Sequence, residues 1–123
     1  FQCVRKRSRG GVMDWATYYD DLNIPSTWEN TSWGNDELPS FVSDEDQNKG
    51  YLIWVDSHDI DIRADHSDFI YGLKDELAPR FHVVLHYSAY ESLLKSNDFD
   101  EVVKWINDNP KTEQQIQETK ENN

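Results

Sequence analysis

Apolar residues recur along this chain in two periods, and the switches between them predict its elements. Trp15, Tyr18, Tyr19 and Leu22 fall at i, i+3, i+4 and i+7, one face of a short helix over 14–22. Asn23 and Pro25 stop it. Residues 23–37 carry Pro25, Asn30, Gly34, Asn35 and Asp36, the composition of a loop. A hairpin follows: "PSFVS" (39–43) and "GYLIWVD" (50–56) flank a polar connection. The second of these strands places Tyr51, Ile53 and Val55 on one face and Leu52 and Trp54 on the other. Apolar groups on both faces predict a central strand covered on both sides.

Residues 56–66 read as an acidic connection, with room for a short strand at 60–62. Residues 67–79 read as a helix capped by Ser67 or Asp68, with Phe69, Ile70, Leu73 and Leu77 as its stripe; Gly72 weakens it and Pro79 follows its end. "RFHVVLHY" (80–87) alternates as a third strand. Helical signals resume at 89–95. A stronger helix follows in "NDFDEVVKWINDNP", capped by Asn97 or Asp98, with Phe99, Val102, Val103 and Ile106 as its core stripe. From Pro110 onward only Ile116 is apolar, so 110–123 reads as a flexible polar tail. The sum is one α+β domain over 13–109, in the order α-β-β-α-β-α. Its sheet has about three strands, largely antiparallel.

Composition supports a core: 37% of the 123 residues are hydrophobic and 13% aromatic. Charge is the larger departure from the ordinary, with 24 acidic residues against 12 basic and a net charge of −12. The imbalance is concentrated in 14–68, which holds 14 acids and only two bases, Lys49 and Arg63. Residues 1–12 run the other way, with Arg5, Lys6, Arg7 and Arg9 and no acid. Codons AGG-GGA-GGT-GTG-ATG for 9–13 would contain a purine-rich ribosome-binding sequence before Met13. Residues 1–12 are therefore either translated leader or a basic arm. The lone Cys3 excludes an internal disulfide and a cysteine zinc cage. No apolar run is long enough to span a bilayer, and no apolar segment follows the basic start, which predicts a cytoplasmic protein of a bacterial host cell.

Candidate chemistry is sparse. His82 and His86 are four apart, but on a strand that separates them by roughly 13 Å, too far for one ion. The segment "DSHDIDIRADHSD" (56–68) offers His58, Asp59, Asp61 and His66 as a conceivable carboxylate–imidazole cation site. Asp44, Asp46 and Asn48 imitate the first ligands of a calcium loop, which then fails at its glycine and at Val55. No nucleophile elbow and no phosphate-binding glycine loop is present. No cofactor is expected. The remaining signal is the anionic surface, which repels nucleic acid and attracts basic surfaces. A fold studded with carboxylates imitates the charge array of DNA.

The segments "TSWGNDELPSF" (31–41), "LIWVDSHDIDIR" (52–63) and "RFHVVLHY" with "NDFDEVVKWI" together resemble small phage, prophage and plasmid proteins of no assigned activity. The resemblance covers most of 27–107 and departs in 64–79, where this chain carries a longer helical insertion. It implies a mobile-element accessory protein and supplies no catalytic residues. It leaves two readings of the tryptophans. Trp33 anchors the loop in the core, or the loop presents Trp28 and Trp33 to a partner.

The expectation is a non-enzymatic binder of a basic host-protein surface, such as that of a nucleic-acid-binding protein. Its 13–109 body would bind neither nucleic acid nor membrane. The residues assigned to the binding face are Trp28, Trp33, Asp20, Asp21, Glu29, Asp36, Glu37, Asp44, Glu45, Asp46, Asp56, Asp59, Asp61 and Asp65. The alternatives are a small metal-binding protein or metal-dependent enzyme built on His58, Asp59, Asp61 and His66, and a structural or assembly accessory protein.

Overall fold

The alternating segments become a meander. In the computed structural model, which describes residues 15–34, 36–72 and 77–122 apart from the side chains of Phe69 and Tyr71, five antiparallel strands lie in sequence order. They are β1 (Glu29–Asn30), β2 (Ser40–Val42), β3 (Leu52–Val55), β4 (Phe81–Val84) and β5 (Ser92–Ser96). The helices are α1 (Ala16–Tyr19), α2 (Ile60–Tyr71), α3 (Phe99–Asp108) and α4 (Glu113–Asn122). The leader-or-arm segment 1–12, Asn35 and Leu73 lie outside the described residues.

Strand β3 sits at the centre, as its two apolar faces require. It pairs Phe41 with Ile53 on one side and Ile53 with Val83 on the other. Phe41, Ile53, Val55, Phe81 and Val83 face α3, where Val102 and Ile106 are buried and Phe99 and Trp105 pack beside them. Val42, Leu52, Trp54 and Val84 face the other way, against Trp15, Tyr18 and Leu38. Gly50 closes the β2–β3 hairpin. A Cβ there would sit 2.6 Å from Val42 Cγ1 and 2.7 Å from the Asp44 nitrogen, so the turn has space only for glycine.

Several expectations are corrected. The sheet has five strands rather than about three: β1 is only two residues long, and β5 lies where the spacing predicts the helix 89–95. Leu94 of β5 packs inward while Leu93 is exposed, the pattern of an edge strand covered on one face. The middle helix starts at Ile60, within the supposed acidic connection. Asp59 caps it, accepting from the amides of Asp61 (2.9 Å) and Ile62 (3.5 Å). Gly72 then ends it in the left-handed conformation, φ 69°, rather than sitting inside it. Ser67, read as a cap, is a buried tie: its Oγ donates to the Arg63 carbonyl and accepts from the Ala78 amide.

Where the sequence reads a flexible tail, residues 113–122 form α4. Thr112 and Gln115 exchange hydrogen bonds between side chain and backbone, a reciprocal capping box. Lys111 and Thr119 are buried, and Lys111 Nζ donates to Thr119 Oγ1 (2.8 Å) and to the Asn48 carbonyl (3.2 Å). Burial pushes the Lys111 amine down to about 8. Among the described residues, no helix is long and apolar enough to cross a membrane.

Candidate functional site

The residues assigned to one acidic face separate into three groups. Asp36, Glu37 and Asp56 are inside the protein, the last two fully buried. They leave the proposed surface because each carboxylate is enclosed by the elements around it. Asp36 accepts from the Tyr87 hydroxyl at 2.7 Å, and Asp56 faces His66. Asp44, Glu45 and Asp46 lie in the β2–β3 turn, where Asp44 and Asp46 accept backbone amides two residues on. Asp20, Asp21, Asp59, Asp61 and Asp65 gather toward the other end of β3, about 13 Å of strand away. Glu29 is exposed on the edge strand β1. Among the described residues, these acids do not share one continuous face.

The two tryptophans also separate. Trp28 is half-buried, its ring 5.4 Å from that of Phe99 and 6.4 Å from that of Phe41. Trp33 is 50% exposed, while its carbonyl accepts from Trp15 Nε1 at 3.2 Å. Trp28 is therefore the core anchor, and the loop is fixed at position 33 through its backbone. Trp28→Ala is expected to lower the unfolding free energy by about 2–3 kcal/mol in urea melts. Trp33→Ala should lower it by less than about 1 kcal/mol. The reverse order of effects would place Trp33 in the core instead.

The four residues of the metal alternative do not converge. Asp59 caps α2, Asp61 is exposed, and His66 points inward to Asp56. Among the described residues, the group close enough to hold an ion is Asp20, Asp21 and His58, whose ligand atoms lie within 4.8 Å of one another. Asp21 is already committed, since both its oxygens accept from Arg80, at 2.7 and 2.8 Å. That pairing holds its carboxyl below the usual carboxylate range. Asp20 faces His58 Nε2 at 2.9 Å.

Beneath this end lies a buried polar cluster that sequence reasoning missed. Asp56 Oδ1 accepts from the Ser57 amide (2.7 Å) and lies 2.8 Å from His66 Nδ1. A carboxylate only accepts, so Nδ1 carries the proton in this pair. On the other side of the ring, Nε2 is 3.5 Å from the Tyr18 hydroxyl. Burial, and then the charges of Asp56 and Glu37, push the Tyr18 phenol up to about 12. Arg80, itself buried, donates to the carbonyls of Asp56 (2.9 Å) and Tyr18 (2.8 Å). His82, buried on β4 and near Lys95, is pushed down to about 4. His66 and Arg80 thus fix the inward side of α2 and the loop that leads into it.

The outward side of α2 carries a line of exposed acidic charge. Asp61, Asp65 and Asp68 stand at i, i+4 and i+7, within about 60° of one another around the axis and over roughly 10.5 Å of its length. All three are exposed, as is Asp59 just before the helix. The only base on the helix, Arg63, points away from them, about 200° round from Asp61. Ile60 and Ile62 are 60% and 38% exposed beside the ridge. The sequence holds this spacing, but the acidic composition of 56–66 and the capping character of Asp68 mask it. Compared with protein-family models, with curated proteins and with solved structures, the chain matches none.

Proposed function

We propose that this protein is a non-enzymatic accessory protein of a mobile element that docks through the acidic ridge of α2 on a cationic, nucleic-acid-binding surface of another protein. The observation that carries the proposal is the ridge itself, three carboxylates in line on a helix whose inward side is fixed by buried polar contacts. One DNA strand presents a phosphate about every 3.4 Å of axis. The ridge presents a carboxylate about every 4.5–6 Å, and Asp59 adds a fourth at its start. Exposed Ile60 and Ile62 supply apolar contact beside the charge, which a bare polyanion lacks. The mobile-element origin rests on the sequence resemblance, and the choice of partner on charge complementarity.

The test uses a panel of basic DNA-binding proteins, with poly-L-lysine as a probe of bare charge. Binding is measured with and without competing duplex DNA. The triple variant Asp61→Asn, Asp65→Asn, Asp68→Asn is expected to lose about tenfold in affinity, because three exposed pairs at about 0.5 kcal/mol each are lost. The variant Asp44→Asn, Glu45→Gln, Asp46→Asn removes the same charge at the far end of β3 and should lose little. Equal losses in the two variants, or preference for poly-L-lysine, would refute docking through the ridge.

A further inference from the structure

Between α4 and the second face of the sheet lies a cavity of about 150 Å³. Val42, Leu52 and Leu85 give it apolar walls, and Ser40, His86 and Thr119 bring polar groups to it. A space of this size accepts one benzene-sized ring. Its polar groups are mostly committed. Ser40 Oγ shares a hydrogen bond with Thr31 Oγ1 at 2.9 Å, and Thr119 Oγ1 donates to the Gln115 carbonyl and accepts from Lys111.

His86 differs. It is buried, and its Nδ1 accepts from the Ser88 amide at 3.2 Å, so in the neutral ring the proton sits on Nε2. That nitrogen is 3.6 Å from Glu118 of α4, longer than a good hydrogen bond. Beyond that distant acceptor the Nε2–H is within reach of water at the cavity, and a ligand oxygen can take the water's place. Of α4 only Thr119 is buried, so few contacts hold the helix over the cavity: the Thr119 tie to Lys111 and the approach of Glu118 to His86.

We infer that this cavity is a binding site for a neutral, single-ring molecule carrying one oxygen acceptor, with α4 as its lid. Neutrality follows from charge of both signs: Glu118 borders the site and disfavours an anion, while the Lys111 ammonium, 2.8 Å from the lining Thr119 hydroxyl, disfavours a cation. The site is independent of the acidic ridge, on another part of the fold, so each stands or fails alone.

The probe is phenol, compared with benzene and benzoate and followed by methyl and amide NMR shifts on the full chain. Phenol is expected to half-saturate at about 1 mM, the range for a ligand of this size. Shifts should centre on Val42, Leu52, Leu85 and Thr119. Benzene should bind about tenfold more weakly for want of the His86 contact, and benzoate more weakly still. Leu85→Phe fills the space from one wall and Val42→Leu from another; each should abolish the phenol shifts while keeping the wild-type circular dichroism. No shift at 10 mM phenol, shifts that persist in both filled variants, or tighter binding of benzoate than of phenol would each overturn the inference.

Discussion

Arg80→Ala is expected to lower the unfolding free energy by about 4 kcal/mol in urea melts at pH 7, among the largest effects of any single substitution in this chain. Arg80 is 7% exposed, and its guanidinium donates to four acceptors on two separate segments. Truncation leaves the carbonyls of Tyr18 and Asp56 buried without their donor, at about 1–3 kcal/mol each. The Asp21 carboxylate adds little, because its side chain is 40% exposed and regains water. Arg80→Lys should recover less than half of the loss, since an ammonium cannot span the fork of acceptors that the planar group reaches. Asp21→Asn should cost under about 1 kcal/mol. The acid limb supplies a second check. Asp21 is held below its ordinary value of 3.8 by Arg80, so its contribution is present above that pH and lost as pH falls through the lowered value. The gap between wild type and Arg80→Ala should therefore narrow below about pH 3.8. A variant within 1 kcal/mol of wild type at pH 7 would mean that the Arg80 network is not formed.

The parts of this fold that were legible in the sequence are those set by short-range periodicity. Residues 50–56 are apolar on both faces, and β3 is central; 80–87 alternate, and β4 pairs beside it. Of the predicted core stripe, Phe99, Val102 and Ile106 lie where helical spacing puts them, while Val103 is half-buried and Trp105 packs against the core; the Asp98 cap accepts from the Asp100 amide. Short edge strands were not legible, because β1 has two residues and β5 presents adjacent leucines that suit either period. The boundary of α2 was a contest between caps. Asp59 competed with Ser67 and Asp68, and the left-handed Gly72 settles the other end. The ordering of α4 was half legible. The Thr112–Gln115 capping box is a local signal, but the burial of Lys111 against Asn48 joins residues 63 positions apart.

The acidic residues show the same division. Counting them located the charge, and the helical spacing of Asp61, Asp65 and Asp68 was available in the sequence. Which carboxylates are inside was not, because each buried one is decided by a distant group. Asp36 meets Tyr87, 51 positions away, and Asp56 meets a histidine on the next helix. An exposed acid and a buried acid have the same letter, and only the fold supplies the partner.

His66→Leu is expected to cost about 4 kcal/mol and to loosen the helix that carries the ridge. Asp56 is fully buried, and its carboxylate has two contacts, the Ser57 amide and His66; Oδ2 has no hydrogen-bond partner among the described residues. Removing the imidazole strands a buried negative charge, the situation in which breaking a pair costs about 3–5 kcal/mol. The stacked contact with Tyr18, ring centroids 5.9 Å apart, is lost as well. Charge, rather than packing, should dominate, and a double variant separates them. Adding Asp56→Asn to His66→Leu removes the stranded charge and should return about 1–2 kcal/mol, whereas two independent packing defects would add. Because His66 is on the inward side of α2, amide exchange along 60–71 should accelerate more than exchange in β3. If His66→Leu is as stable as wild type, Asp56 is not charged in the folded protein. If it is destabilised but the double variant is worse still, the pair contributes by shape alone, and the acidic ridge is held in place by something other than this buried hydrogen bond.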